Sequence, residues 1–106
     1  MNLGTQDIGR SISAAGTTQA TATLLINGIC LLTTVAASSG VLLNANAGTG
    51  SSQVVYNGGA NPVKVYPPVG YAINGLTTNG AHVLATNTTC IYFVVSDTQI
   101  IGNLSA

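Results

Sequence analysis

Every apolar run in this chain is cut off within a few residues by glycine, asparagine, proline or serine. A helix needs apolar residues at three- and four-residue spacing over ten or more positions, and no stretch here supplies that period. Short runs bounded by turn-formers read instead as strands. "ATATLLI" (20–26) is followed by Asn27-Gly28 and then "ICLLTTVA" (29–36). Asn-Gly between two apolar runs predicts a type I′ hairpin, because both residues tolerate positive φ. Ser38-Ser39-Gly40 predicts a turn into Val41-Leu42-Leu43, and 44–52 reads as loop.

Further strands are expected at Gln53–Tyr56, Val63–Tyr66, Ala72-Ile73, His82–Ala85, Cys90–Val95 and Thr98–Ile101. Pro67-Pro68 ends the Val63–Tyr66 strand, since proline donates nothing to a ladder. Turns are placed at Asn74-Gly75, Thr78-Asn79-Gly80 and Ser96-Asp97. Cys90–Val95 is apolar at every position, the pattern of a central strand covered on both faces. The expected architecture is all-β: a compact β-sandwich or jelly-roll-like barrel of about eight short strands, with an extended N-terminal arm. The arm covers residues 1–17, rich in Gly, Ser and Thr and anchored only by Leu3, Ile8 and Ile12, and the β-sandwich domain covers 18–106.

Charge separates this chain from ordinary domains. Of 106 residues only 4% are charged, against about 25% in typical soluble proteins. Arg10 and Lys64 are the strong bases and Asp7 and Asp97 the acids. Two isolated cations form no basic stripe for phosphates, so no nucleic-acid partner is expected. Nor do they make the cationic face of a membrane-surface helix. No apolar run approaches the roughly 20 residues of a membrane span. Residues 1–23 lack a basic start and a hydrophobic run, which predicts a chain without a signal peptide, made and held in a cytoplasm until assembly. Cys30 and Cys90 both sit inside apolar runs and are read as buried thiols, with an inter-strand disulfide as the other possibility.

Little in the sequence points to catalysis. His82 could complete a triad with a serine and Asp7 or Asp97, but no G-x-S-x-G elbow accompanies it. Asp7 and Asp97 are the only candidates for a carboxylate pair. The glycine-rich 46–52 stretch lacks the Lys-Ser/Thr ending and following helix of a phosphate loop. No catalytic residue, metal ligand or cofactor is therefore expected. Tyr66 and Tyr71 flank Pro67 and Pro68, and these four residues are a candidate exposed contact loop.

The stretches "VVYNGGANPVKVYPPVGYAINGL" and "VLATNTTCIYFVVSDTQ", with the upstream "QATATLL" and "TTVAASSGVLL", resemble a module of small tailed-phage virion proteins. The likeness covers about residues 18–101. It departs at Ile100, where the module has an aromatic after Ser-x-x-Gln. The resemblance implies a capsid decoration (cement) protein on the virion surface, a homotrimer whose partners are the major capsid protein and itself. Its alternative is a carbohydrate-binding adhesion module of a head or tail fibre. Leu3, Asp7, Ile8, Arg10 and Ile12 in the arm are the expected capsid contacts, with Asp7 and Arg10 placed for charge-assisted hydrogen bonds.

Overall fold

The computed structural model describes residues 8–44 and 49–104. Among them all regular structure is β: β1 (Ile8–Ser13), β2 (Thr23–Leu24), β3 (Ile29–Thr34), β4 (Gly40–Leu42), β5 (Ser52–Asn57), β6 (Val63–Tyr66), β7 (Ala72–Ile73), β8 (His82–Leu84), β9 (Thr88–Val94) and β10 (Gln99–Leu104). Six strands form one sheet in the order β1-β3-β5-β9-β10-β7, and four form a second in the order β2-β4-β6-β8.

Up to β6 the chain alternates between the sheets. Each return lands beside the previous strand in parallel, so β1, β3 and β5 stack in one sheet and β2, β4 and β6 in the other. These passes wind like the coils of a short solenoid. Antiparallel strands then close the stack: β9 on β5, β10 on β9 and β8 on β6. The two-layer, all-β expectation holds. The jelly-roll connectivity does not, because jelly rolls are built of antiparallel Greek keys and five of the eight strand pairs here are parallel.

The Asn27-Gly28 hairpin is also corrected. β2 and β3 lie in different sheets, and Asn27-Gly28 is a corner between them. Gln53, from the next pass, fastens that corner. Its Nε2 donates to the carbonyls of Leu25 and Asn27, both at 2.9 Å, while its Oε1 accepts from Asn44 N at 3.1 Å. Val54 N donates to Gly28 O at 2.8 Å. A neighbour in the stack thus takes the bonds that a strand folding back would have taken. The positive-φ Asn-Gly turn occurs instead at Asn74 (φ 52°) and Gly75 (φ 75°), closed by Leu76 N donating to Ile73 O.

The arm is shorter than expected. From Ile8 the chain is the edge strand of the six-stranded sheet, pairing with β3, and Ala14 reaches the core. The pairing slips between Gly9 and Ile12, where β1 carries one extra residue, and slips back between Ile12 and Ser13. Residues 1–7, with Leu3 and Asp7, lie outside the described residues.

The core fills the space between the sheets. Cys30, Val55 and Cys90 form one inward row across β3, β5 and β9. The two cysteines are therefore separated by a whole strand, about 10 Å, beyond the roughly 7 Å limit of a disulfide. Both are buried and unbridged. Facing them, Val41 and Val65 are fully buried in the second sheet.

Ser39 and Asn57 are the buried polar residues among those described, and Asn57 is the fully buried one. Asn57 ends β5 with 0% exposure. Its Nδ2 donates to the carbonyls of Asn61 (2.9 Å) and Leu84 (3.0 Å), and its Oδ1 accepts from Gly59 N (2.9 Å). Asn61 in turn donates to Val35 O at 2.9 Å. One amide thus ties the 57–61 turn to β8 in the opposite sheet. Truncation would strand buried backbone groups, each worth about 1–3 kcal/mol. Asn57→Ala is expected to lower unfolding stability by about 2–4 kcal/mol, read from the urea midpoint. A loss within the range of an ordinary surface substitution would show that this clip is dispensable.

Candidate functional site

His82, the single histidine, stands on β8 opposite Val65 and looks into the interface between the sheets. Its Nδ1 lies 2.8 Å from the Tyr92 hydroxyl, and the rings meet edge to face at 5.7 Å. Tyr92 belongs to β9 in the other sheet and is 1% exposed. Its ring lies over Gly102, where an added Cβ would come within 3.1 Å of it. Burial holds the phenol far above its ordinary pKa and so protonated. It also pushes the Cys90 thiol up. The partner of His82 is a phenol that bolts two sheets together, not a serine or a carboxylate. Asp97 is exposed on a turn, and Asp7 lies outside the described residues. Among the described residues no three His, Cys, Asp or Glu side chains come together as a metal site.

A cavity of about 380 Å³ opens near the Asn27-Gly28 corner, between Ile26, Leu43, Gln53, Tyr92, Val94 and Ile100. Its central polar group, the Gln53 amide, is already bonded at both ends.

The 66–71 loop is not the exposed aromatic platform expected. Tyr66 is buried, its ring packed over Gly40 and its hydroxyl donating to Thr17 O at 3.0 Å. Gly40 is required there, because a Cβ would meet the ring at 2.8 Å. Pro67 is fully buried, Pro68 is half-buried, and Tyr71 packs against the core. The reason is the 14–22 segment, which crosses this end and ties down with Gln19 Nε2 donating to Pro67 O at 2.7 Å.

The expected capsid contacts also separate. Ile8 is exposed on the outer side of the six-stranded sheet, and Arg10 is exposed on its edge strand. Ile12 turns inward and packs against the core.

A further unpartnered feature is that outer face. Because Cys30, Val55 and Cys90 point inward, their neighbours point out. Register then aligns Ile8, Ile29, Val54, Ile91 and Asn103 in one outward row, apolar except at its last position. Leu31, Tyr56 and Thr89 form a second row, and Ser52, Phe93 and Ile101 a third. Phe93 is 39% and Ile101 51% exposed. Cys90–Val95, expected to be covered on both faces, is covered on one. Lys64 and Asp97 lie off this face, on the second sheet and in a turn, and Arg10, two residues beyond Ile8 on the edge strand, stands at its rim.

The edge beyond it is blunted. Only two residues of β10 pair with β7. Past them, the Asn74 side chain stands in for a strand: its Oδ1 accepts from Gly102 N at 2.8 Å and its Nδ2 donates to Gly102 O at 3.3 Å. With the bulge in β1 at the opposite edge, this device opposes edge-to-edge growth of the sheet. The face is apolar while the edges are closed.

Compared with protein-family models, with curated protein sequences and with solved structures, the chain matches none.

Sequence reasoning placed the apolar runs but not their outward rows. The signal was there in "ICLL", "VVY" and "CIYFVV", three runs apolar at both alternating positions.

Burial lowers the His82 pKa below its ordinary 6.5, because the imidazolium is poorly solvated between the sheets. Above 6.5 the ring is neutral in folded and unfolded chains alike, and its contribution is complete. As pH falls through 6.5 the unfolded chain protonates first, so stability declines until the folded ring also takes a proton. Unfolding midpoints measured from about pH 7.5 to about pH 5 should fall, and His82→Gln should flatten that dependence. An equal slope in the variant would place the titrating group elsewhere.

Proposed function

We propose that the chain is a non-catalytic structural protein of a tailed-phage virion, a capsid decoration (cement) protein that binds the outer shell and stabilises it. The observation that carries this reading is the largely apolar, charge-poor outer face of the six-stranded sheet. A short, tightly wound β body with one such face is suited to work while covered. Contiguous apolar patches on free monomers are usually small, and larger ones mark interaction sites.

The partners on this reading are the major capsid protein and other copies of the chain. Arg10 stands on the edge of one sheet and Lys64 on the other sheet, so the two cations do not combine into a track for nucleic acid. The mechanism is mass action: a protein that binds the assembled shell and not its separated subunits stabilises the shell by its binding free energy. Exposed Arg10 and the 1–7 segment with Asp7 remain the proposed polar contacts to the shell. The adhesion alternative loses its main support with the burial of Tyr66 and Pro67.

Bare expanded capsids incubated with purified protein should take it up to a fixed number of copies per particle. The decorated particles should then withstand higher temperature than bare ones. Absence of saturable uptake, or uptake without any gain in thermal resistance, would contradict the cement role.

A further inference from the structure

We propose that the outer face of the six-stranded sheet is a self-docking face, covered by the same face of a second copy about a two-fold axis. The inference rests on reading that face as an assembly surface and names its occupant.

Three observations carry it. The first is pattern. β3, β5 and β9 carry apolar side chains on both faces, as strands buried on both sides do, yet the chain supplies a cover for only one. The missing layer therefore has the dimensions of a sheet.

The second is area. Five strands spaced about 4.8 Å apart and about 20 Å long give a corrugated face of roughly 500–700 Å² per copy. Paired with itself, it buries roughly 1,000–1,400 Å², at the lower end of stable interfaces. The outward apolar positions run the whole width, exposed at Ile8, Phe93 and Ile101 and half-buried between them. A peptide or a single strand would cover only part of that width.

The third is charge. An isologous contact buries the same patch of both copies, so every charge on the face enters the contact twice. The aligned rows hold none, and Arg10 stands at the rim on the edge strand, away from their centre. The rows hold Phe93, the only phenylalanine of the chain, and Tyr56, both of a type enriched at the centres of interfaces. The closed edges leave face-to-face packing as the mode of association, and packed sheets accept that arrangement at about 10 Å separation.

The test is mass in solution. Sedimentation equilibrium from about 1 to about 200 µM should show wild-type protein approaching twice its 10.6 kDa monomer mass. Ile101→Lys and Phe93→Lys, both at exposed positions, should weaken pairing at least about 100-fold, since one substitution puts two like charges into the contact. Circular dichroism checks that each variant remains folded. Val54→Cys, at the centre of the face, should form an intermolecular disulfide under mild oxidation. This third readout does not depend on the lysine variants folding.

A wild type that stays monomeric over that range, or a trimeric mass, would overturn the proposal. So would a dimer indifferent to both lysine variants. A monomer whose uptake by capsids is abolished by Ile101→Lys would assign the face to the shell protein; it would refute self-docking and leave the cement reading standing. A dimer that binds no capsid would do the reverse.

Discussion

Successive passes of the chain must present the same inward row in the same register, and everything else in the structure depends on that constraint. A shift of one residue would turn a whole strand inside out. Cys30, Val55 and Cys90 satisfy the constraint in one sheet, and Val41 and Val65 do so in the other. Small and β-branched side chains suit the narrow space between the layers. Where a large ring enters, a glycine on the adjacent strand makes room, as Gly102 does for Tyr92. With almost no charge available, register is held by amides. Gln53 fastens the corner of the preceding pass, Asn57 ties one sheet to the other, and Asn74 closes an edge.

Strand positions were legible in the sequence because they depend on local chemistry. Val63–Tyr66 and Ala72–Ile73 lie where their flanking turn-formers put them, and the inward side of Val63 and Val65 follows from simple alternation. Topology was less legible. Asn27-Gly28 has the composition of a hairpin, yet its partner, Gln53, is 25 or more residues away. No local rule can see a corner that is bonded to the next coil. Parallel neighbours are likewise separated by a full pass through the opposite sheet, so their pairing leaves no short-range signature. The 66–71 loop was misread for a related reason: Tyr66 is buried by a segment distant in sequence that crosses over it.

The outer face joins fold and proposed function. The uninterrupted apolar run of β9 reads as a strand with two covers, and the fold provides one. A chain that met water on that side would alternate polar and apolar residues, as the outward side of a half-exposed sheet does. The same economy of charge that leaves the face open makes it compatible with a copy of itself. It also makes the protein a stiff component with few long, mobile charged side chains, a character suited to a layer on a shell. The His82–Tyr92 bolt and the Asn57 clip keep the two sheets together, so that the outer face is carried on a fixed frame.

Small-angle X-ray scattering of the wild-type protein tests the central claim, that the outer face is paired in the working state, most directly. One copy has a Cα radius of gyration of 12.5 Å and measures 25 Å through its thinnest dimension. Two copies stacked face to face should give a radius of gyration of about 18 Å, with a distance distribution extended along the stacking direction. A radius that stays near the single-copy value at all concentrations would contradict the account.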